Sequence, residues 1–352
     1  IAEAKAEIDA IVANQEEPTF ENTIEAMEYA GETLNRVASV FYNLMEANTN
    51  DEMQQIAEQI SPMLNEYSMY VSLNADLFAK VKSVYEKKDE LGLEKDQLKL
   101  LEDNYKSFVR GGANLSDEDK ELYSKWSEEL SLASLQFSKN VLAATNAYTL
   151  HITDSADLAG LPEFVKTMAA ETASEKGLEG WAFTLDAPSY SPFLKYSEVR
   201  NLRKDMWTAY NTRAIGGEFD NTDVVKKIVD LRIRIANILG YETYADYALE
   251  ERMAKDKATV NGFIKDLLEP SMEFAKKDVA DVYAFAKKNG FEDSQLMPWD
   301  FSYWSEKYQQ AEYSLSAEEL KPYFQLESCI DAVFGLATRL YGISFTELDN
   351  VP

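Results

Sequence analysis

Apolar residues recur at helical spacing along almost the whole chain, and this spacing changes to alternation at only two short segments. One helical set is Val224, Ile228, Leu231, Ile235 and Ile238. Separations of three and four positions place such residues along one face of a helix. The alternating segments, 148–153 and 181–185, are rich in aromatic and β-branched residues, as strands are. We therefore predict an all-α fold with one small antiparallel β-ribbon.

The helix ends are predicted from capping residues and breakers. A long helix is expected from Phe20 to Ala47, with Val37 and Leu44 on its buried face. Pro62 and Pro270 are expected to interrupt helices, because proline lacks the N–H that a helix interior needs. Ser116 precedes three acidic residues and predicts a helix start.

Residues 198–238 predict a helical hairpin. Two apolar helical patterns are joined by Gly216-Gly217 and an Asp-Asn pair, and Asn221 is suited to cap the second helix. Near the end of the chain, Ser316 begins the pattern S-x-x-E of a capping box. Residues 343–346 predict the beginning of a strand.

No repeat, low-complexity segment or long linker divides the chain, so we expect one helical region over 1–352. A subdivision into a helical layer (1–145), a β-ribbon with an inserted helix (146–190) and a second helical layer (191–352) fits the pattern. The chain starts at Ile1 instead of Met and ends soon after an apolar segment. We therefore expect it to be the N-terminal portion of a longer protein, whose own N-terminus could carry a signal peptide.

The charge of the chain bears on its partners. It has 35 Lys and Arg against 62 Asp and Glu, a net charge of −27. Such a field repels phosphate backbones and anionic lipids, so we expect neither nucleic acid nor membrane as a partner. It favours neutral or cationic ligands, including basic peptides, although acidity also serves solubility. The single Cys329 fits a reducing compartment, so we expect the cytoplasm, with the periplasm or export as the alternative.

His151 is the only histidine, and this excludes several chemistries. The zinc motif H-E-x-x-H needs two histidines on one helix face, and a di-iron bundle needs two E-x-x-H motifs. A Ser-His-Asp triad would place His151 next to a nucleophile elbow, which is missing from its predicted strand. Glycoside hydrolysis needs two carboxylates, which paired acids such as Glu250-Glu251 could supply. Neighbouring acids on an acidic helix are more simply interpreted as side chains exposed to solvent. We predict no catalytic residue and no metal ligands in this chain.

The most unusual local cluster is Trp299, Asp300 and Tyr303, followed by another tryptophan. It has two interpretations: an aromatic helix start capped by Asp300, or one side of a peptide-binding channel. Several arginines could similarly bind a substrate carboxylate or pair with the many acids of the chain. These are Arg200, Arg203, Arg213, Arg232 and Arg234.

Several segments, in order, resemble one family. Residues 17–23 read EPTFENT, residues 108–113 read FVRGGA, and residues 158–162 read LAGLP. The stretch 200–254 contains R..LR...W.AY..R and LR...A.ILGY, and the motifs WDFSY and KPYF follow at 299–303 and 321–324. In this order they resemble the thimet-oligopeptidase family of zinc metallopeptidases, above all its dipeptidyl carboxypeptidase and oligopeptidase branch.

The resemblance implies a mainly helical half of a peptidase with a deep channel for short, unstructured peptides. The parent would hydrolyse peptide bonds with zinc-activated water, and its H-E-x-x-H helix would belong to a C-terminal catalytic half. This chain would then be inactive alone, bind no zinc, and form one wall of the channel. Trp299, Asp300 and Tyr303 are candidate channel residues. The rival hypothesis is a stand-alone helical binding protein, which a reading frame continuing into an H-E-x-x-H helix would exclude.

Overall fold

The computed structural model describes residues 1–314 and 317–348, and it is 73% helical with a two-stranded antiparallel sheet. This confirms the predicted fold class. Contacts between residues divide the chain into two compact units. The first unit combines Ile1–Tyr148 with Thr212–Glu269, and the second combines Thr149–Asn211 with the chain from Pro270 onward. The three-part subdivision at 145 and 190 stays a prediction.

The regular elements of the first unit are all helices. Its helices are α1 (Ala2–Ala13), α2 (Ala26–Tyr29), α3 (Glu32–Ala47), α4 (Asp51–Ser72), α5 (Ala75–Glu86), α6 (Lys95–Arg110), α7 (Asp117–Ala147), α11 (Thr222–Ile238), α12 (Tyr244–Leu249) and the first part of α13 (Lys257–Lys288). A π-helical turn, Phe20–Glu25, precedes α2. Ile8, Ile24, Leu77, Val81 and Leu101 lie in its buried core, and α7 packs along α4 and α11.

The predicted helix from Phe20 to Ala47 is broken at Gly31. Gly31 has a left-handed backbone with φ of +78°, which glycine adopts without steric cost, and its N–H donates to Glu7 Oε2 at 2.7 Å. The expected burial of Val37 and Leu44 is also wrong, since their side chains are 62% and 51% exposed. Helix α3, which follows the break, has no fully buried residue.

The two prolines do not interrupt their helices. Pro62 lies inside α4 and Pro270 inside α13, so both predicted breaks are wrong. A proline inside a helix removes one backbone hydrogen bond and crowds the carbonyl four residues earlier, so other contacts must hold the helix together there. In α4 the turns around Pro62 are held by packing against α7, where Ser61 Oγ lies 2.8 Å from Ser131 Oγ.

The second unit contains the sheet. Its elements are β1 (Leu150–Ile152), α8 (Glu163–Glu175), β2 (Trp181–Phe183), α9 (Ala187–Tyr196), α10 (Arg200–Asn211), the remainder of α13, α14 (Pro298–Tyr313), α15 (Ala317–Leu320) and α16 (Leu326–Tyr341). Short 3₁₀ turns occur at Ser155–Leu158 and Lys321–Tyr323. The strands pair in the register Leu150 to Phe183 and Ile152 to Trp181, which confirms the predicted ribbon.

The predicted helical hairpin at 198–238 is divided between the two units. Helix α10 packs with α9 and α14 in the second unit, whereas α11 packs with α7 and α12 in the first. The strand predicted at 343–346 does not form, because no partner strand among the described residues takes up its backbone groups. The capping residue predicted at Ser316 lies outside the described residues.

Candidate functional site

The predicted site residues Trp299, Asp300 and Tyr303 lie in the first turns of α14. Pro298 opens this helix, where the missing proline N–H has no consequence. Asp300 is the third helical residue, and its Oδ2 accepts a hydrogen bond from the N–H of Met297 at 3.1 Å. The local sequence therefore folds as a capped helix start, and this places the Asp300 carboxylate where α10 can bind it.

Two arginines of α10 converge on Asp300. Arg200 donates from Nε and Nη2 to the two carboxylate oxygens at 2.8 and 2.7 Å, and Arg203 Nη2 donates at 3.2 Å. Arg203 also donates to the backbone oxygens of Trp299 and Ser197 at 3.0 and 2.8 Å. Arg203 is 2% exposed and Asp300 is fully buried. The arginine spacing of three positions puts both guanidinium groups on one face of α10.

The electrostatics of this cluster follow from burial and pairing. Burial disfavours the charge on Asp300, but its hydrogen bonds with Arg200 and with the N–H of Met297 outweigh this, so the pKa of Asp300 is lowered. The pKa of Arg200 is raised, above all by its hydrogen bonds to Asp300. Burial lowers the pKa of Arg203, partly offset by Asp300. The carboxylate therefore stays ionised and occupied by protein donors.

Aromatic rings surround the same charges. The guanidinium of Arg203 lies 4.2 Å from the ring centre of Tyr303, and Trp299 meets Trp207 edge to face at 5.6 Å. Tyr303 is buried, whereas Trp299 is partly exposed. Of the three predicted channel residues, Trp299 is thus the one whose side chain reaches the surface. Their part in a peptide channel stays a prediction.

Most of the singled-out arginines pair with acids or rings of the same unit. Besides Arg200 and Arg203, Arg234 Nη2 lies 2.8 Å from Asp230 Oδ2, and Arg232 lies over the ring of Tyr244 at 5.1 Å. Pairing within the chain thus occupies the charges of Arg200, Arg203 and Arg234.

A second cluster, centred on Arg110 at the end of α6, joins the FVRGGA segment to α12 and the loop before it. Arg110 donates to the Glu250 carboxylate, to Tyr241 Oη at 3.2 Å and to the Tyr247 backbone oxygen at 2.8 Å. Burial, followed by the hydrogen bond to Glu250, raises the pKa of Tyr241 to about 12. These partners were not predicted from the sequence, although Tyr241 ends the motif LR...A.ILGY and Tyr247 follows it six positions later.

Both acids of the pair Glu250-Glu251 form ion pairs with basic side chains. Glu250 is paired with Arg110 and Glu251 with Lys106, and the hydrogen bond from Lys106 lowers the pKa of Glu251. A general acid of a glycosidase needs a raised pKa, so Glu251 does not fit that role.

The comparisons with known proteins bear on these clusters. The family model described as peptidase family M3 matches residues 193–352, which include Arg200, Arg203 and Asp300. Similarity to oligopeptidase A and dipeptidyl carboxypeptidase proteins extends over the whole chain.

The chain belongs to peptidase family M3. It is 34% identical over its full length to oligopeptidase A of Salmonella typhimurium, and 34% identical over 99% of its length to dipeptidyl carboxypeptidase of Escherichia coli. A more distant relative is saccharolysin of Saccharomyces cerevisiae, at 25% identity over 94% of the chain. The chain spans 52%, 51% and 47% of the length of these relatives.

Family M3 is zinc-dependent in general. Within residues 1–314 and 317–348, no three His, Cys, Asp or Glu side chains come together as metal ligands. His151 lies in β1 with its Nε2 2.6 Å from the backbone oxygen of Glu179. The described residues therefore do not fit the three-ligand zinc centre of a hydrolase. In the same residues, no helix has the length and apolarity to cross a membrane.

Proposed function

We propose that this chain is the non-catalytic half of a longer zinc-dependent oligopeptidase or dipeptidyl carboxypeptidase, in which it forms one wall of a deep channel for short peptides. One observation carries the proposal: the chain is similar throughout its length to such peptidases, yet it spans about half of each. The lack of a zinc ligand set among its described residues agrees with a supporting role.

The longer protein would cleave peptide bonds with zinc-activated water. Zinc and the catalytic residues would belong to the other half, and we expect this chain alone to bind no zinc and to cleave nothing. Its own residues would bind and orient the peptide, with Trp299 as a candidate contact beside the buried Asp300 and Tyr303. We place the protein in the cytoplasm, although its plant relatives are named both cytosolic and organellar.

Exposed apolar helix faces support the existence of a partner half. Helix α16 has no fully buried residue, and α13 exposes a row of large apolar side chains. The most exposed of these are Phe263, Leu267, Phe274, Leu326, Val333, Leu340 and Tyr341. Burial of apolar surface yields roughly 25 cal/mol per Å², so covering even a few hundred Å² stabilises a contact by several kcal/mol. We propose that the catalytic half covers these faces.

Hydrogen exchange tests this docking. Helix α11, with Ile228, Leu231 and Ile235 buried, should exchange slowly, and the segment 326–348 should exchange fast in the isolated chain. In the longer protein, α16 should become as slow as α11. If 326–348 is protected like α11 in the dilute, monomeric chain, the docking proposal is wrong and the stand-alone binding protein gains support.

Peptide binding tests the proposed function itself. Labelled short peptides are titrated with the purified chain, and their fluorescence anisotropy should show saturable binding. Mass spectrometry of the same samples should show that the peptides stay uncleaved. A folded protein domain with the same net charge as the peptides serves as the control and should not bind. Binding of the folded domain alone would overturn the channel role and favour a helical interaction protein.

A further inference from the structure

The part of helix α13 that belongs to the second unit has an apolar face. Phe274, Asp278 and Val282 are spaced by four positions, and Phe285 follows three positions after Val282. These spacings place the four side chains on one side of the helix. Val279, three positions before Val282, lies beside them. We call these five residues the α13 face.

One end of the α13 face is packed within the unit, and the other end is open. Val282 is buried, and the ring centre of Phe285 lies 5.5 Å from that of Tyr308 on α14. Toward the N-terminal end, Phe274 and Val279 are 69% and 47% exposed. Solitary exposed apolar residues need no explanation, but these two continue a stripe that packs against a neighbouring helix. The open end is therefore an apolar patch of the kind that a partner covers.

A single charged residue, Asp278, lies in the open end of the face. It is exposed and forms no ion pair with any side chain in the described part of the chain, because the adjacent Lys277 pairs with Asp281 at 3.0 Å. Asp278 lies between Phe274 and Val279 along the helix, so a partner that covers these two would also take Asp278 out of water. An ionised carboxylate is buried only together with a positive charge or hydrogen-bond donors.

Two observations bear on what covers the face. The chain spans about half of the length of its relatives, so a longer protein would supply a comparable length of further chain. A second copy of this chain is disfavoured, because two chains with a net charge of −27 repel each other. Side chains three and four positions apart form ridges that pack into the grooves of another helix, so the face fits a helical partner.

We propose that the α13 face binds a helix of the catalytic half, and that this helix carries an apolar stripe with one lysine or arginine opposite Asp278. The docking rests on the proposed function, which supplies the partner, and it adds the partner's chemistry. The ion pair fixes the register of the two helices, as a single polar residue in an apolar seam does in coiled coils. In the chain alone, Asp278 faces water and has no such role.

Hydrogen exchange of the segment 270–280, measured in the chain alone and in the longer protein, tests the docking. Exchange should be about tenfold slower or more in the longer protein. There, Asp278→Lys should abolish most of this protection, because it places two positive charges against each other. Glu273→Lys makes the same change of charge at an exposed position on the opposite side of α13, and it should alter exchange less than about twofold. Neither variant should alter exchange in the chain alone.

A second pair of variants tests the apolar part of the face. In the longer protein, Phe274→Glu should accelerate exchange of 270–280 about tenfold or more, whereas Ala280→Glu, at an exposed position on the polar side of α13, should have little effect. Unchanged exchange of α11 in every sample shows that the variants are folded.

Three results would overturn the docking. They are equal exchange of 270–280 in the chain alone and in the longer protein, equal responses to Asp278→Lys and Glu273→Lys, and protection in the chain alone that rises with its concentration. The third would assign the face to a second copy. Peptide binding by the chain tests the proposed function separately, so these results would overturn the docking and leave the proposed function intact.

Discussion

Asp300 and Arg200 form a two-point ion pair, with Arg200 Nε 2.8 Å from one carboxylate oxygen and Nη2 2.7 Å from the other. Arg203 approaches the same carboxylate from the buried side. The pair joins the start of α14 to α10, residues that are 100 positions apart in the chain. It is therefore a tertiary contact that holds α10 and α14 together in the second unit. Its carboxylate, Asp300, is one of the predicted channel residues.

We expect Asp300→Ala to destabilise the second unit by about 3–5 kcal/mol, because removing one partner leaves the Arg203 charge buried without compensation. The free energy of unfolding, followed by tryptophan fluorescence in urea, measures this. Asp230→Ala removes the exposed partner of Arg234 and should cost less than about 1 kcal/mol. Equal losses of unfolding free energy in the two variants would mean that the buried Asp300 network stabilises the fold no more than an exposed ion pair does.

The lowered pKa of Asp300 predicts a loss of stability in acid. A carboxylate whose pKa is lower in the folded state stabilises the fold above its ordinary pKa, and this contribution disappears as pH falls through the lowered value. The difference in unfolding free energy between the natural chain and Asp300→Asn should therefore shrink as the pH drops below about 4. Urea titrations at a series of pH values give this difference. A difference that grows in acid would contradict the direction of the shift.

Gly160, in the LAGLP motif, is predicted to be irreplaceable for steric reasons. Its φ is +82°, and a Cβ atom there would lie 2.3 Å from the backbone oxygen of Tyr196. Gly160→Ala should cost clearly more than the ~1–2 kcal/mol of left-handed strain alone. Gly177→Ala is the matched control, because Gly177 has φ of +68° and no described heavy atom within 4 Å of the added Cβ. Thermal unfolding of both variants compares them. A Gly160→Ala loss no larger than the Gly177→Ala loss would show that the close approach is relieved by a small shift.

Local signals were sufficient for much of the fold. The Ser116 hydroxyl accepts the N–H of Asp119 at 3.2 Å, as its position before three acids predicts, and α7 begins there. The ribbon forms where the apolar period changes from helical to alternating. Both features depend on residues that are close together in the sequence, so the local sequence is enough to predict them.

Features that depend on distant partners were predicted poorly. Asn221 has the composition of a helix cap, but its side chain donates to the Phe137 backbone oxygen at 3.0 Å and accepts from Asn140 at 2.9 Å, both on α7. The capping role passes to Asp220, whose Oδ1 accepts the N–H of Thr222 at 2.9 Å. In the same way, the sequence left open whether Arg200 binds a substrate carboxylate or an acid of the chain, and it did not single out Asp300. The spacing of residues within one segment does not show which distant side chain a residue will contact.

The central claim, a peptide-binding half without its own catalytic centre, is tested most directly by turnover and zinc content measured on one sample. The purified chain is incubated with zinc, dialysed, analysed by mass spectrometry for metal, and assayed with a quenched fluorogenic peptide. We expect no stoichiometric zinc and no turnover, together with measurable binding of the peptide. One retained equivalent of zinc with turnover that is lost in His151→Ala would contradict the account, because the only histidine would then belong to a catalytic centre within this chain.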